Sequence, residues 1–227
     1  MKHLFLLISL FLVFSCRKDK VIVLPEIKHS IISEINDVSP AYLFFDVTQK
    51  DSVELNRKNL ISTTNWLLNI DKRLTLKQVV PHIKYLQEKK NNSSHKNEHA
   101  KNYFTCHDIN KKNLGFIEFT EIRYHLESSE NYVTNISGLN NSQNIKSISF
   151  SPNEAISIIS PNSKPFVVIT REDELLNDLK TLDTLECTVY LNFNERLTFQ
   201  EYINIKSTLS KADFIKLKIS NEEFLHN

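Results

Sequence analysis

Apolar and polar positions along this chain follow two periods, and the switches between them mark its elements. Residues 65–70 and 188–193 are β-prone runs holding Trp66, Val189, Tyr190 and Leu191, so each predicts a strand. Behind each run, apolar residues return at helical spacing: Val79, Val80, Ile83 and Leu86 in one place, Tyr202, Ile203, Ile205 and Leu209 in the other. Between strand and helix stand Thr75 with Gln78, and Thr198 with Glu201. Each pair fits the capping box, in which the threonine and the residue three later satisfy one another's free backbone groups. Strand, turn and capped helix are thus written twice. Pro81 lies inside the first helix and predicts a kink or a shortening, because proline lacks an N–H and crowds the preceding turn.

The two passages also match letter for letter. Residues 68–76 align with 191–199 at an offset of 123 (191 minus 68), with Leu, Asn, Arg, Leu and Thr identical. Upstream, at offset 122, Phe44, Val47, Thr48 and Asp51 face Phe166, Ile169, Thr170 and Asp173. Two matches at nearly one offset indicate an internal duplication. Strands are expected to open the units at 42–48 and 166–170 and to close them at 116–120 and 214–219. In the last of these Ile215, Leu217 and Ile219 alternate with Lys216 and Lys218, the pattern of a sheet with one wet face. A helix is expected over 173–182, and residues 51–62 suit either a helix or a hairpin strand.

The expected fold class is α+β: two related small domains, each a sheet with one or two helices packed on one face. The division reads as a signal peptide at 1–15, a tether and first strand at 16–40, and a first repeat at 41–127. A linker at 128–144 and a second repeat at 145–227 complete it. Within the first repeat, residues 88–113 are polar and rich in Lys, Asn and His, and read as a mobile surface loop.

The N-terminus carries a different pattern. Lys2 precedes an apolar run from Leu4 to Phe14 broken only by Ser9, far short of the ~20 residues a membrane span requires. Val13, Phe14, Ser15 and Cys16 follow as a lipobox would, so this segment resembles the bacterial lipoprotein signal. The resemblance implies cleavage before Cys16, acylation of its thiol, and a place in the bacterial cell envelope, on the outer membrane or the periplasmic face. It makes membrane lipid a partner, held through the acyl chains on Cys16. The alternative is an ordinary secretory signal with an incidental cysteine. Arg17, Lys18 and Lys20 form a small basic cluster behind it, read as a solvated tether.

Composition narrows the function. The chain of 227 residues has 28 Lys and Arg against 27 Asp and Glu, and loss of Lys2 with the signal takes the net charge from +1 to 0. A neutral chain argues against nucleic acid as partner. Only two glycines are present, which excludes glycine-cradled phosphate sites, and no GXSXG, P-loop or dinucleotide fingerprint occurs. No cofactor and no enzymatic activity are expected.

Three constellations have chemistry to weigh. His95, His99, Cys106 and His107 carry the nitrogen and sulfur donors zinc favours, and they give the alternative reading of a zinc-binding protein or hydrolase. Residues 91–101 lack a helical pattern that would bring His95 and His99 together, and a solvated loop is the simpler account. Cys106 and Cys187, the cysteines left after Cys16, either form a disulfide stapling the units or stand as separate thiols. Asp108, Asn110, Gly115 and Glu121 invite comparison with a calcium loop, but the register places Lys112 and Leu114 where oxygen ligands belong. Gly115 is then expected to be a turn before a strand.

The order of elements in each unit, with Val23, Leu24, Pro25 and Glu26 ahead of the first, resembles the periplasmic domain of the ExbD/TolR biopolymer-transport family. The resemblance runs over residues 21–220 as two copies. It implies a small α+β fold in each copy and a role in binding an envelope protein partner. That family's membrane helix bears a functional Asp, whereas Leu4 to Phe14 has no acidic residue, so proton coupling is not implied. The expectation is a non-enzymatic envelope lipoprotein acting as an interaction or structural module.

Overall fold

The computed structural model describes residues 20–95, 97–130, 132, 144–153, 155–160 and 164–227. The expected signal peptide with the lipobox-like Val13 to Cys16, and most of the expected linker at 128–144 including Gly138, lie outside the described residues.

The chain forms an α+β fold with two six-stranded sheets. The first contains β1 (Glu26–Ile27), β2 (Val38–Phe45), β3 (Val53–Asn56), β4 (Asn65–Ile70), β5 (Asn102–Asp108) and β6 (Asn113–Glu118). β2 and β3 make an antiparallel hairpin, which resolves residues 53–56 as strand. β4 lies parallel to β2 on one side and to β5 on the other. β6 runs antiparallel along β5, while β1 joins the same edge of β5 as β4, beyond the point where β4 ends. Between β4 and β5 the chain crosses over through α1 (Leu76–Asn91).

The second sheet has the order β10-β9-β8-β11-β12-β7. These strands are β7 (Arg123–His125), β8 (Ile145–Phe150), β9 (Ile156–Ile159), β10 (Val167–Thr170), β11 (Cys187–Asn194) and β12 (Leu217–His226). β8 and β9 repeat the hairpin, and β11 is parallel to both β8 and β12. α2 (Leu175–Leu182) precedes β11, and α3 (Phe199–Leu209) crosses from β11 to β12.

The duplication is therefore hairpin, parallel strand, helix, parallel strand in each half. The strand and helix equivalence holds at the offset read from the sequence, but the upstream match does not. Phe44 is on β2, beside β4, whereas its match Phe166 stands directly before β10, at the far edge of the second sheet. The counterpart of β2 is β8, because each pairs in parallel with the strand that leads into the capped helix. An additional strand and helix, β10 and α2, are inserted only in the second half and shift the numbering.

Both capping boxes form. Thr75 N–H donates to Gln78 Oε1 at 2.8 Å, and Thr198 N–H to Glu201 Oε2 at 2.7 Å. α1 runs its full 16 residues through Pro81, so the proline does not shorten it. Burial of Leu76, Val79, Val80, Ile83 and Leu86 on one face outweighs the lost backbone bond.

The two halves meet at these caps. Thr75 and Thr198 form an isolated antiparallel bridge. Leu76 N–H donates to Leu197 O at 2.8 Å and Phe199 N–H to Leu74 O at 2.6 Å. Lys77 N–H donates to Glu195 O at 2.9 Å and Gln200 N–H to Lys72 O at 3.2 Å. Each bond has its mate at the repeat offset, so the contact is an internal two-fold. The first N–H groups of a helix have no partner within it, and here the opposite half supplies two for each. Apolar packing continues the junction: Phe104 of β5 meets Phe199 and Tyr202 of α3 edge-on, at centroid distances of 5.2 and 6.1 Å. One hydrophobic core runs through both sheets.

The expected mobile loop at 88–113 is corrected. α1 extends to Asn91, and residues 102–108 are β5, buried at every position but His107. Its polar letters conceal a core strand because they are used internally. Asn102 accepts from Lys90 Nζ at 2.8 Å, and Asp108 accepts from Ser30 N–H at 2.7 Å and Lys111 N–H at 3.0 Å. Gly115 is also corrected. It stands within β6 opposite Cys106, and a Cβ there would come 2.5 Å from Ser30 Cβ. Glycine is required by close approach of the N-terminal segment, not by a turn.

Candidate functional site

Cys16 lies outside the described residues. The described chain begins at Lys20, and from there it is fixed to the first half. Lys20 Nζ pairs with Asp46 at 2.7 Å and with Glu54. Val23 N–H donates to Asp71 Oδ2 at 3.2 Å, and Val23 O accepts from Lys72 N–H at 2.8 Å. Asp71 itself is fully buried and takes a two-point bond from Arg73, through Nε and Nη2, both at 2.8 Å. Burial works to raise its pKa, but the bonds from Arg73 and Val23 outweigh that and hold it below the usual carboxylate value. In the second half Asn194 takes this place and accepts from Arg196 N–H at 3.0 Å.

The structure does not gather the four residues of the zinc alternative. His95 and His99 sit in the loop after α1; on β5, Cys106 is buried and the adjacent His107 is exposed on the opposite face. Among the described residues no group of three or more His, Cys, Asp and Glu side chains could hold a metal ion. Cys106 and Cys187 are free thiols, each buried in its own sheet, so the disulfide alternative is not realised. Burial raises the pKa of both, which disfavours the thiolate a nucleophile or metal ligand needs.

A buried polar cluster where β7, α3 and β12 meet could not be read from the sequence. Tyr202 Oη donates to Glu223 Oε2 at 2.8 Å and lies 3.0 Å from Tyr124 Oη, while Lys206 pairs with the other Glu223 oxygen. Glu223 is fully buried and Lys206 nearly so. Burial, reinforced by the Glu223 charge, pushes the pKa of both tyrosines well above 10. Next to it, His125 Nε2 lies 2.6 Å from Glu222 Oε2, and its ring stacks on Phe224 at 4.7 Å. These groups satisfy one another and tie β7, from the first half of the sequence, to the second sheet.

A groove of about 510 Å³ opens beside the cluster, lined among others by Lys84, Glu88, Lys90, Glu121, Arg123 and His125. Its lining carries charges of both signs. Lys84 and Lys90 are spent on backbone carbonyls: Lys84 donates to Tyr124 O at 2.5 Å, and Lys90 to Ala100 O at 3.2 Å. Burial lowers the Lys90 pKa to about 8, and the ammonium lies 5.0 Å from the centroid of Trp66.

Among the edge strands of the described residues, β10 is one with capacity to bind. Among the described residues it pairs with β9 alone, leaving its outer edge open. Val167 and Ile169 alternate outward at 40% and 60% exposure, and Phe166 just before them is 54% exposed. No charged residue falls between Lys164 and Arg171. Sheet edges are usually protected by charge, proline or a bulge, and within β10 none of the first two is present.

No helix among the described residues is long and apolar enough to cross a membrane. Comparison with protein family models, with curated proteins and with solved structures gives no match.

Proposed function

We propose that this chain is a membrane-anchored lipoprotein of the bacterial cell envelope whose body is a non-enzymatic interaction module. The observation that carries the reading is the edge of β10, with open backbone groups beside outward-facing Val167 and Ile169. An extended segment of an envelope protein adds to such an edge as a further strand. Main-chain bonds then give affinity and alternate side chains give specificity. Among the described residues the nucleophilic and acid-base groups discussed above are, by contrast, dispersed, buried or bonded to one another. The lipobox-like Val13 to Cys16 supports the anchor, and the resemblance to duplicated ExbD/TolR periplasmic domains suits a partner-binding role.

Metabolic labelling with a fatty acid tests the anchor: label enters the wild type and is absent from Cys16→Ser. Unlabelled wild type that still matures elsewhere overturns it. A photo-crosslinking residue at position 169, compared with one at position 218 on β12, tests the edge in intact cells. The expected result is a discrete adduct at 169 alone, abolished when Val167→Lys is added. Equal adducts at both positions, or none at either, refute binding at β10.

A further inference from the structure

We infer that the end of the first half carrying Val21, Phe45 and Val47 lies against the lipid surface that anchors Cys16. This rests on the lipoprotein reading above and adds the orientation of the body. Four residue steps separate Cys16 from Lys20. At 3.3–3.6 Å per residue they reach at most about 14 Å. Lys20 is already held to Asp46 and Glu54, and three residues on Val23 is bonded through both its N–H and its C=O. Pro25 O then accepts from His107 N–H at 2.8 Å, and Glu26 N–H donates to Gln200 Oε1 at 2.8 Å. No slack follows Lys20, so the body cannot drift from the bilayer. A headgroup layer is about 5–8 Å deep on each side of the hydrocarbon, which leaves Lys20 within roughly 10 Å of its outer limit.

The surface at this point fits that neighbour. Val21 and Val47 are 77% and 73% exposed, and Phe45 is partly exposed beneath the Arg73 guanidinium, 4.7 Å from the ring centroid. Cations stand beside them: Lys20 on Asp46, Lys72 against Val23 and Arg73 over Phe45. Most acids here are engaged, Asp46 and Glu54 with Lys20, Glu26 with Lys72 and Asp71 with Arg73, while Asp51 adds a negative charge in the hairpin turn that follows Val47. Exposed apolar side chains among cations are the composition that settles at a headgroup boundary.

The test uses the full lipidated protein in phosphatidylcholine and phosphatidylglycerol vesicles containing a nitroxide-labelled lipid. A fluorophore is attached through Val47→Cys or Val21→Cys near the anchor, or through Ile215→Cys. Ile215 is 89% exposed and precedes the start of β12. That end is about 20–25 Å from the internal two-fold, given the length of β11 at ~3.3 Å per residue. Cys106 and Cys187 are buried and do not compete for label. We expect at least twofold quenching at 47 and 21 and none at 215. Ten Gly and Ser residues inserted after Asp19 should reduce quenching at 47 to the level at 215. Acylated protein that quenches equally at all three sites, or at none, overturns the orientation alone. An intact mass showing no acyl chain on Cys16 overturns the anchor and the orientation together.

Discussion

Gly115→Ala puts the packing of the N-terminal segment under direct strain. The added methyl would meet Ser30 Cβ at 2.5 Å, Ser30 Oγ at 2.8 Å and Ile27 Cδ1 at 3.2 Å. Carbon atoms rest at about 3.5–4.0 Å, so the segment must retreat by roughly 1 Å. Ser30 is buried and cannot retreat freely: its N–H donates to Asp108, its Oγ donates to Ile32 O at 2.6 Å, and that oxygen accepts from Phe116 N–H at 3.0 Å. Overpacking of this kind costs about 1–3 kcal/mol. Loss of one buried bond adds about 1 kcal/mol, so a total near 2–4 kcal/mol is expected. In a chain of this size that lowers Tm by roughly 4–16 °C. Ser30→Gly removes both clashing atoms, so the double variant should be more stable than the two single losses added together, by more than about 1 kcal/mol. Urea denaturation of the four proteins gives the cycle. A loss below about 0.5 kcal/mol for Gly115→Ala, or strict additivity, would refute the reasoning, since surface changes fall in that range.

Tyr202→Phe should cost about 1–3 kcal/mol in urea denaturation, because buried Glu223 and Tyr124 both lose a partner; a neutral substitution would show that Glu223 is satisfied by Lys206 alone. Lys90 gives a signed pH dependence. Its folded pKa of about 8 is below the ordinary 10.5, so between these values the unfolded chain holds more protons and stability rises with pH. The stability of the wild type relative to Lys90→Met should therefore improve from pH 8 toward pH 10, and a flat or falling difference would contradict it.

How far the fold was legible depended on where polar residues were spent. β4, β11 and both capped helices could be read because their apolar faces are clean and the threonine caps stand in sequence beside them. β5 was hidden because Asn102, Thr105, His107 and Asp108 read as loop, although Asn102 and Asp108 are bonded inside the fold. Burial of an acid cannot be read from a single letter, and Glu222 and Glu223 look alike until β12 is placed. Only Glu223 is fully enclosed. β10 was anticipated as a strand over 166–170, but its position at an edge depends on strand order, which pairing over many residues decides. The offset of 122 misled for a related reason: it compared a central strand with an inserted one.

The bonds exchanged at Thr75 and Thr198 have a bearing on how such a chain is built. Each helix start draws two of its acceptors from the other copy, so a single copy would have to find a second in solution. Fusion into one polypeptide replaces that search by an effective concentration fixed by the connection, independent of how much protein is present. The chain thereby keeps its two-fold form at any concentration, without any need to dimerise. Sequence drift is then free to give each half its own edge, as the insertion of β10 and α2 has done in one half alone.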